Sequence, residues 1–133
     1  MRLIQIIFVV FLSFLVSGAL ANDHVSITVT LQDVDAKGRP WDDNSDPDIA
    51  ICVHTSFGRK CYPENDNLQK IATPLNTACK NTFTCTIDKV FINNAPFYVV
   101  VYEKDAVFDD TVGERMCPIK GDCRAGLADI VVK

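Results

Sequence analysis

The chain has 133 residues, a formal net charge of −4 and a pI near 5.0, with 48% hydrophobic and 23% charged residues. That length is one domain's worth. An acidic chain with no basic run and no basic-aromatic stripe repels the phosphate backbone, so nucleic acid is excluded as the expected partner.

The chain opens on Met1-Arg2, an almost wholly apolar run over 3–16, and Ser17-Gly18-Ala19-Leu20-Ala21. A short basic start, an apolar core and an Ala-x-Ala end are the parts of a secretory signal peptide, here residues 1–21, with cleavage expected after Ala21. A membrane anchor is the rival reading, but the run falls short of the ~20 residues that span a bilayer. Residues 22–133 are then the mature domain, one unit more negative once Arg2 is removed, and secreted to the extracellular space.

All six cysteines lie in that mature part, and an even number in a secreted chain reads as disulfides. Spacing favours nearest-neighbour pairing among the fifteen connectivities. A hairpin turning at Ser56-Phe57 would set Cys52 opposite Cys61. Cys79 with Cys85 and Cys117 with Cys123 each enclose five residues, short enough for local staples. Zinc is disfavoured, because no close Cys-x-x-Cys pair exists and His24 and His54 stand isolated as plain strand residues.

Strand signals follow in order. Residues 25–31 alternate, with Val25, Ile27, Val29 and Leu31 inward and Ser26, Thr28 and Thr30 outward. Further β-rich runs cover 49–55, 59–62, 69–73, 82–87, 97–103 and 127–132, separated by Gly, Pro, Asn and Asp. No stretch sustains an apolar period of 3.6. The fold class expected is all-β, an antiparallel β-sandwich of about eight strands stapled by disulfides.

Two acidic stretches abut these strands. Trp41-Asp42-Asp43-Asn44-Ser45-Asp46-Pro47-Asp48 precedes the run at 49–55; Glu103, Asp105, Asp109 and Asp110 crowd what reads as a loop after 97–103. Each alone reads equally well as a solvated turn. The first begins like an EF-hand loop but has Pro47 where the turn needs Gly and Val53 where a bidentate Glu belongs. Together they point to one hard-cation site: Ca²⁺ takes 6–8 oxygens in flexible geometry, whereas transition metals favour His or Cys. Catalysis finds no support, since no Gly-x-Ser-x-Gly, His-Glu-x-x-His or spaced carboxylate pair is present, and no enzyme activity is expected.

Val99-Val100-Val101-Tyr102-Glu103-Lys104-Asp105 and Asp109-Asp110-Thr111-Val112-Gly113-Glu114 resemble the V-x-V-(W/Y)-D-x-D and D-D-x-(I/V)-G-E signature of C2 domains, calcium- and lipid-binding β-sandwiches. Asp48-Ile49-Ala50-Ile51-Cys52-Val53 resembles the family's D-P-Y-V-K-V strand entry, with Asp42 six residues before Asp48. Asn81-Thr82-Phe83 falls where the family has an Asn and a Phe before a middle strand. The resemblance implies Ca²⁺ ligands at Asp42, Asp48, Glu103, Asp105 and Asp110, with Asp109 competing for the last position and Asp46 a neighbour. Glu103 departs from the family's Asp, and the later loop is one residue short. The resemblance further implies calcium-dependent binding to a phospholipid membrane surface, with Trp41, Val107 and Phe108 as membrane-contact residues unless the aromatics fold back to cap the sandwich. The alternative from another class is an extracellular module for a protein partner whose loops calcium rigidifies, or a membrane-targeted effector.

Overall fold

The computed structural model describes residues 23–42, 45–62, 79–104 and 109–133, with only the backbone at Asp109. The signal-peptide segment and the run at 69–73 lie outside them. Among the described residues eight strands follow in order: β1 His24–Leu31, β2 Ile49–Thr55, β3 Gly58–Tyr62, β4 Thr84–Phe91, β5 Phe97–Lys104, β6 Asp109–Cys117, β7 Gly121–Ala125 and β8 Ala128–Val132. They form two antiparallel four-stranded sheets, ordered β4-β1-β8-β7 and β3-β2-β5-β6. The all-β sandwich expected from the strand pattern is the architecture observed.

Alternation in the sequence becomes layering in space. Val25, Ile27, Val29 and Leu31 of β1 are all buried, as are Ile130 and Val132 of the adjacent β8. They meet Ile49, Ile51 and Val53 of β2 and Phe97, Val99 and Val101 of β5 from the opposite sheet in one core. β-Branched residues dominate because they pack well on a pleated surface that is half or fully buried. On the outer face of the first sheet, Thr28 meets Thr86 at 3.0 Å and Thr30 meets Thr84 at 3.2 Å, hydroxyl to hydroxyl.

Two strands, β6 and β7, differ from the sequence expectation. Asp109 and Asp110 do not sit in a loop; they open β6, opposite Lys104 and Glu103 of β5. Neither Asp109–Cys117 nor Gly121–Ala125 carries an apolar alternation, because each is a sheet edge exposed along one side. Pairing with a well-formed neighbour makes them strands. The β5–β6 register shifts between Val101 and Tyr102, which pair with Gly113 and Thr111, so Val112 is the extra residue of a bulge.

That bulge sits where the two sheets touch. A Cβ on Gly113 would run into the Ala125 carbonyl, and one on Gly126, at φ +59°, would run into the carbonyl of Val112. The two glycines let the β6 backbone and the β7–β8 turn approach directly, closed by Leu127 N–H donating to Val112 O at 3.4 Å.

The disulfides are Cys52–Cys61, Cys79–Cys85 and Cys117–Cys123, and no cysteine is free. Cys52 and Cys61 are direct register partners, with Thr55 and Gly58 closing the two-residue turn at Ser56-Phe57. Cys117–Cys123 joins the end of β6 to β7 and so links one sheet to the other. Staples of this kind contribute about 2–4 kcal/mol each, chiefly by restricting the unfolded chain.

Candidate functional site

β5 is the central organiser of the acidic end, because it pairs with β2 on one side and β6 on the other. Ile49 lies opposite Glu103, which sets Asp48 at the mouth of the sandwich beside the end of β5. Lys104 N–H donates to Asp48 O at 2.8 Å, and Asp48 N–H points to Glu103 Oε1 at 3.5 Å. Glu103 follows Val99 and Val101 on the inner face of β5 and is wholly buried. Its register partner across the sheet is Asp110, and directly opposed residues share a face. Asp109 stands one step further along, opposite Lys104. Three carboxylates from distant parts of the chain, Asp48, Glu103 and Asp110, are thus drawn to one end.

A buried carboxylate is costly unless its surroundings supply donors or positive charge. A chain that retains Glu103 at a strand end rather than Val or Ile keeps a polar group where core packing alone would discard it.

Asp48 is braced by a residue that the sequence marked only through family resemblance. Asn81 holds a left-handed backbone, φ 54°, a conformation Asn tolerates better than most residues. Its backbone N–H donates to Asp48 Oδ1 at 2.6 Å, and its side-chain Oδ1 accepts the N–H of Asp46 at 2.8 Å. Thr82 N–H donates to Pro47 O at 2.8 Å. The segment before β4 therefore clamps the strand entry of β2. Its local signal was an Asn in a turn, which carries no information about a partner 33 residues away.

The other residues implied by resemblance are dispersed. Asp42 is half-buried, and its Oδ2 accepts the Ser45 hydroxyl at 2.9 Å within its own turn. Asp46 is exposed. Trp41, expected either at a membrane-facing tip or folded back to cap the sandwich, is partly buried against the core, and its Nε1–H donates to Gln32 O at 2.6 Å. An indole whose ring packs inward and whose N–H is satisfied caps the sandwich end. Asp105, Val107 and Phe108 lie outside the described residues.

Just before Trp41, Asp35 knots the β1–β2 connection. Its Oδ1 accepts the N–H groups of Lys37 and Arg39, both at 2.8 Å, and its Oδ2 accepts Arg39 Nε at 3.0 Å and Nη2 at 2.8 Å. These donors, the Arg39 backbone N–H foremost, hold the Asp35 carboxyl below its ordinary 3.8.

Among the described residues, no three His, Cys, Asp or Glu side chains come together as a ready metal cage. Asp48, Glu103 and Asp110 lie at the same end of the sandwich through the pairing of β2, β5 and β6, without forming such a cage. The described residues form a disulfide-stapled β-sandwich of eight strands with a carboxylate-rich end. Comparison with protein-family models and with the curated proteins finds no match.

Proposed function

We propose that this protein is a secreted module that binds Ca²⁺ at the carboxylate-rich end and, through the bound ion, meets phospholipid headgroups. The reading is supported most by one observation: the β2–β5–β6 pairing sets Asp48, Glu103 and Asp110 at one end of the sandwich, next in sequence to the connection that carries Asp105. Asp48, Glu103, Asp105 and Asp110 would hold the ion, with Asp42 and backbone carbonyls completing the oxygen shell. Calcium bound there supplies positive charge to an otherwise anionic surface, which is what an anionic headgroup requires. Asn81 keeps the Asp48 carboxylate oriented in advance, and the β5–β6 pairing keeps Asp110 at the level of Glu103. Extracellular modules work at affinities of ~10⁻⁴–10⁻³ M, so a site with few preformed contacts suffices. Three disulfides in a small domain are compatible with the extracellular setting this reading needs.

A second reading is favoured by Trp41. Since this aromatic is folded against the core, one of the two expected insertion tips is withdrawn, as suits a protein-interaction module whose loops calcium only stiffens.

Isothermal titration of the mature protein with Ca²⁺ tests the metal, with Asp48→Asn and Asp105→Asn as variants. At least one site is expected, strongly weakened in both variants; unchanged binding in both would reject the assignment. Liposome pelleting with and without calcium then separates the two readings, because only the first requires co-sedimentation.

A further inference from the structure

Beside the carboxylate-rich end, between the β1–β2 connection, the start of β6 and the β7–β8 turn, lies a groove of about 490 Å³. That volume is in the range of small-molecule sites. We propose that this groove binds a neutral pyranose sugar unit, with its ring laid on Trp41 and its hydroxyls bracketed by Lys37, Asp110 and Thr111.

The walls are built in advance. Asp35 locks the turn that carries Ala36 and Lys37 through its four accepted hydrogen bonds, and Gly38 N–H closes the turn onto Asp35 O at 3.0 Å. Trp41 is pinned by Gln32, and Leu127 by Val112 O on one side and by Gln32 N–H, at 3.0 Å to its own carbonyl, on the other. A cavity whose sides are tied to two sheets pays little ordering cost when a ligand enters.

The lining selects the chemistry. Asp35 and Arg39 neutralise each other at 2.8 Å, which leaves Lys37 and Asp110 as the charges facing the groove, neither engaged by another side chain among the described residues. Lys37 only donates, Asp110 only accepts, and the Thr111 hydroxyl does both. An anionic ligand would meet Asp110, and a cationic one would meet Lys37. A hydroxyl both donates and accepts without net charge, so neighbouring hydroxyls satisfy the two sides together. Trp41 and Leu127 add an apolar surface, and a pyranose presents a matching face of C–H groups while its polar edge points outward.

Trp41 is the sole tryptophan of the chain, so its emission reports on this groove directly. The mature protein is titrated with the methyl glycosides of glucose, galactose, mannose and N-acetylglucosamine, once in EDTA and once in calcium. A saturable change in emission with at least one glycoside, at a millimolar dissociation constant, is expected in EDTA. Ala36→Phe, which fills the groove, and Lys37→Met, which removes the donor, should each weaken it about tenfold or more with thermal unfolding unchanged. No response to any glycoside in either buffer overturns the inference; so does a response that both variants retain, or one given by phosphocholine and by no glycoside. Because the EDTA arm contains no free calcium, glycoside binding there stands even if the metal titration fails, and its absence leaves the metal reading untouched.

Discussion

The two ends of the sandwich solve opposite problems. At the carboxylate-rich end, Asp48, Glu103 and Asp110 come from three segments and are held in register by β5 and by the Asn81 brace. At the far end, Phe57 projects from the β2–β3 turn at 73% exposure, edge-on to Phe91 at 5.7 Å, which in turn meets His24 at 5.4 Å. The far end combines these aromatic edge contacts with bonds to neutral hydroxyls, Phe57 N–H to Thr55 Oγ1 at 3.1 Å and Phe91 N–H to Tyr62 OH at 3.1 Å; the acidic end is held by bonds to carboxylates. A carboxylate buried as Glu103 is carries a desolvation cost that the exposed ring of Phe57 does not.

Gly113→Ala should break this contrast most severely. The added methyl meets the Ala125 carbonyl, so the sheets must part beside Asp110, and chemical denaturation should show a loss of about 3 kcal/mol or more. Phe57→Ser at the far end should stay within about 0.5 kcal/mol of the parent. Comparable losses in the two variants would erase the distinction between the ends.

Phe108→Ala sharpens the functional side of the comparison. Burying one Phe is worth roughly 1.5–3 kcal/mol, so calcium-dependent liposome binding should fall about tenfold or more while calcium affinity in solution holds. With Trp41 turned inward, the membrane reading rests more heavily on Val107 and Phe108 than the sequence alone implied, and equal liposome binding by the variant would favour the protein-partner reading.

Asn81→Ala removes the acceptor for Asp46 N–H and makes the left-handed backbone harder to adopt, for an expected loss of about 1–2 kcal/mol and weaker calcium binding. Asn81→Gly separates these effects: it restores the backbone freedom but not the bond to Asp46, so it should recover only part of the loss. Recovery to the parent value would show that the side chain contributes nothing.

The smallest effect is a pH response of the β1–β2 connection. The folded-state pKa of Asp35 is depressed, so its contribution is present above the ordinary value of 3.8 and is lost as pH falls through the lowered one. The Lys37 and Arg39 amide resonances should therefore hold steady down to that value and shift only below it; movement between pH 5 and 7 would contradict the geometry of the turn.

What the residues determined unaided was local. The alternation of β1, the β-branched runs of β2 and β5, the turn at Ser56-Phe57 and the short cysteine spacings each follow from forces acting over a few residues, and they suffice for an all-β, disulfide-stapled sandwich. Tertiary structure decided the rest. Asp109–Cys117 is polar enough to read as loop and becomes β6 only because β5 offers a partner. Trp41 packs against the core because the core's edge and the Gln32 carbonyl lie within its reach. Asn81 braces Asp48 through contacts between segments far apart in the chain, and pairing across such separations depends on the whole sheet arrangement, which no window of sequence contains.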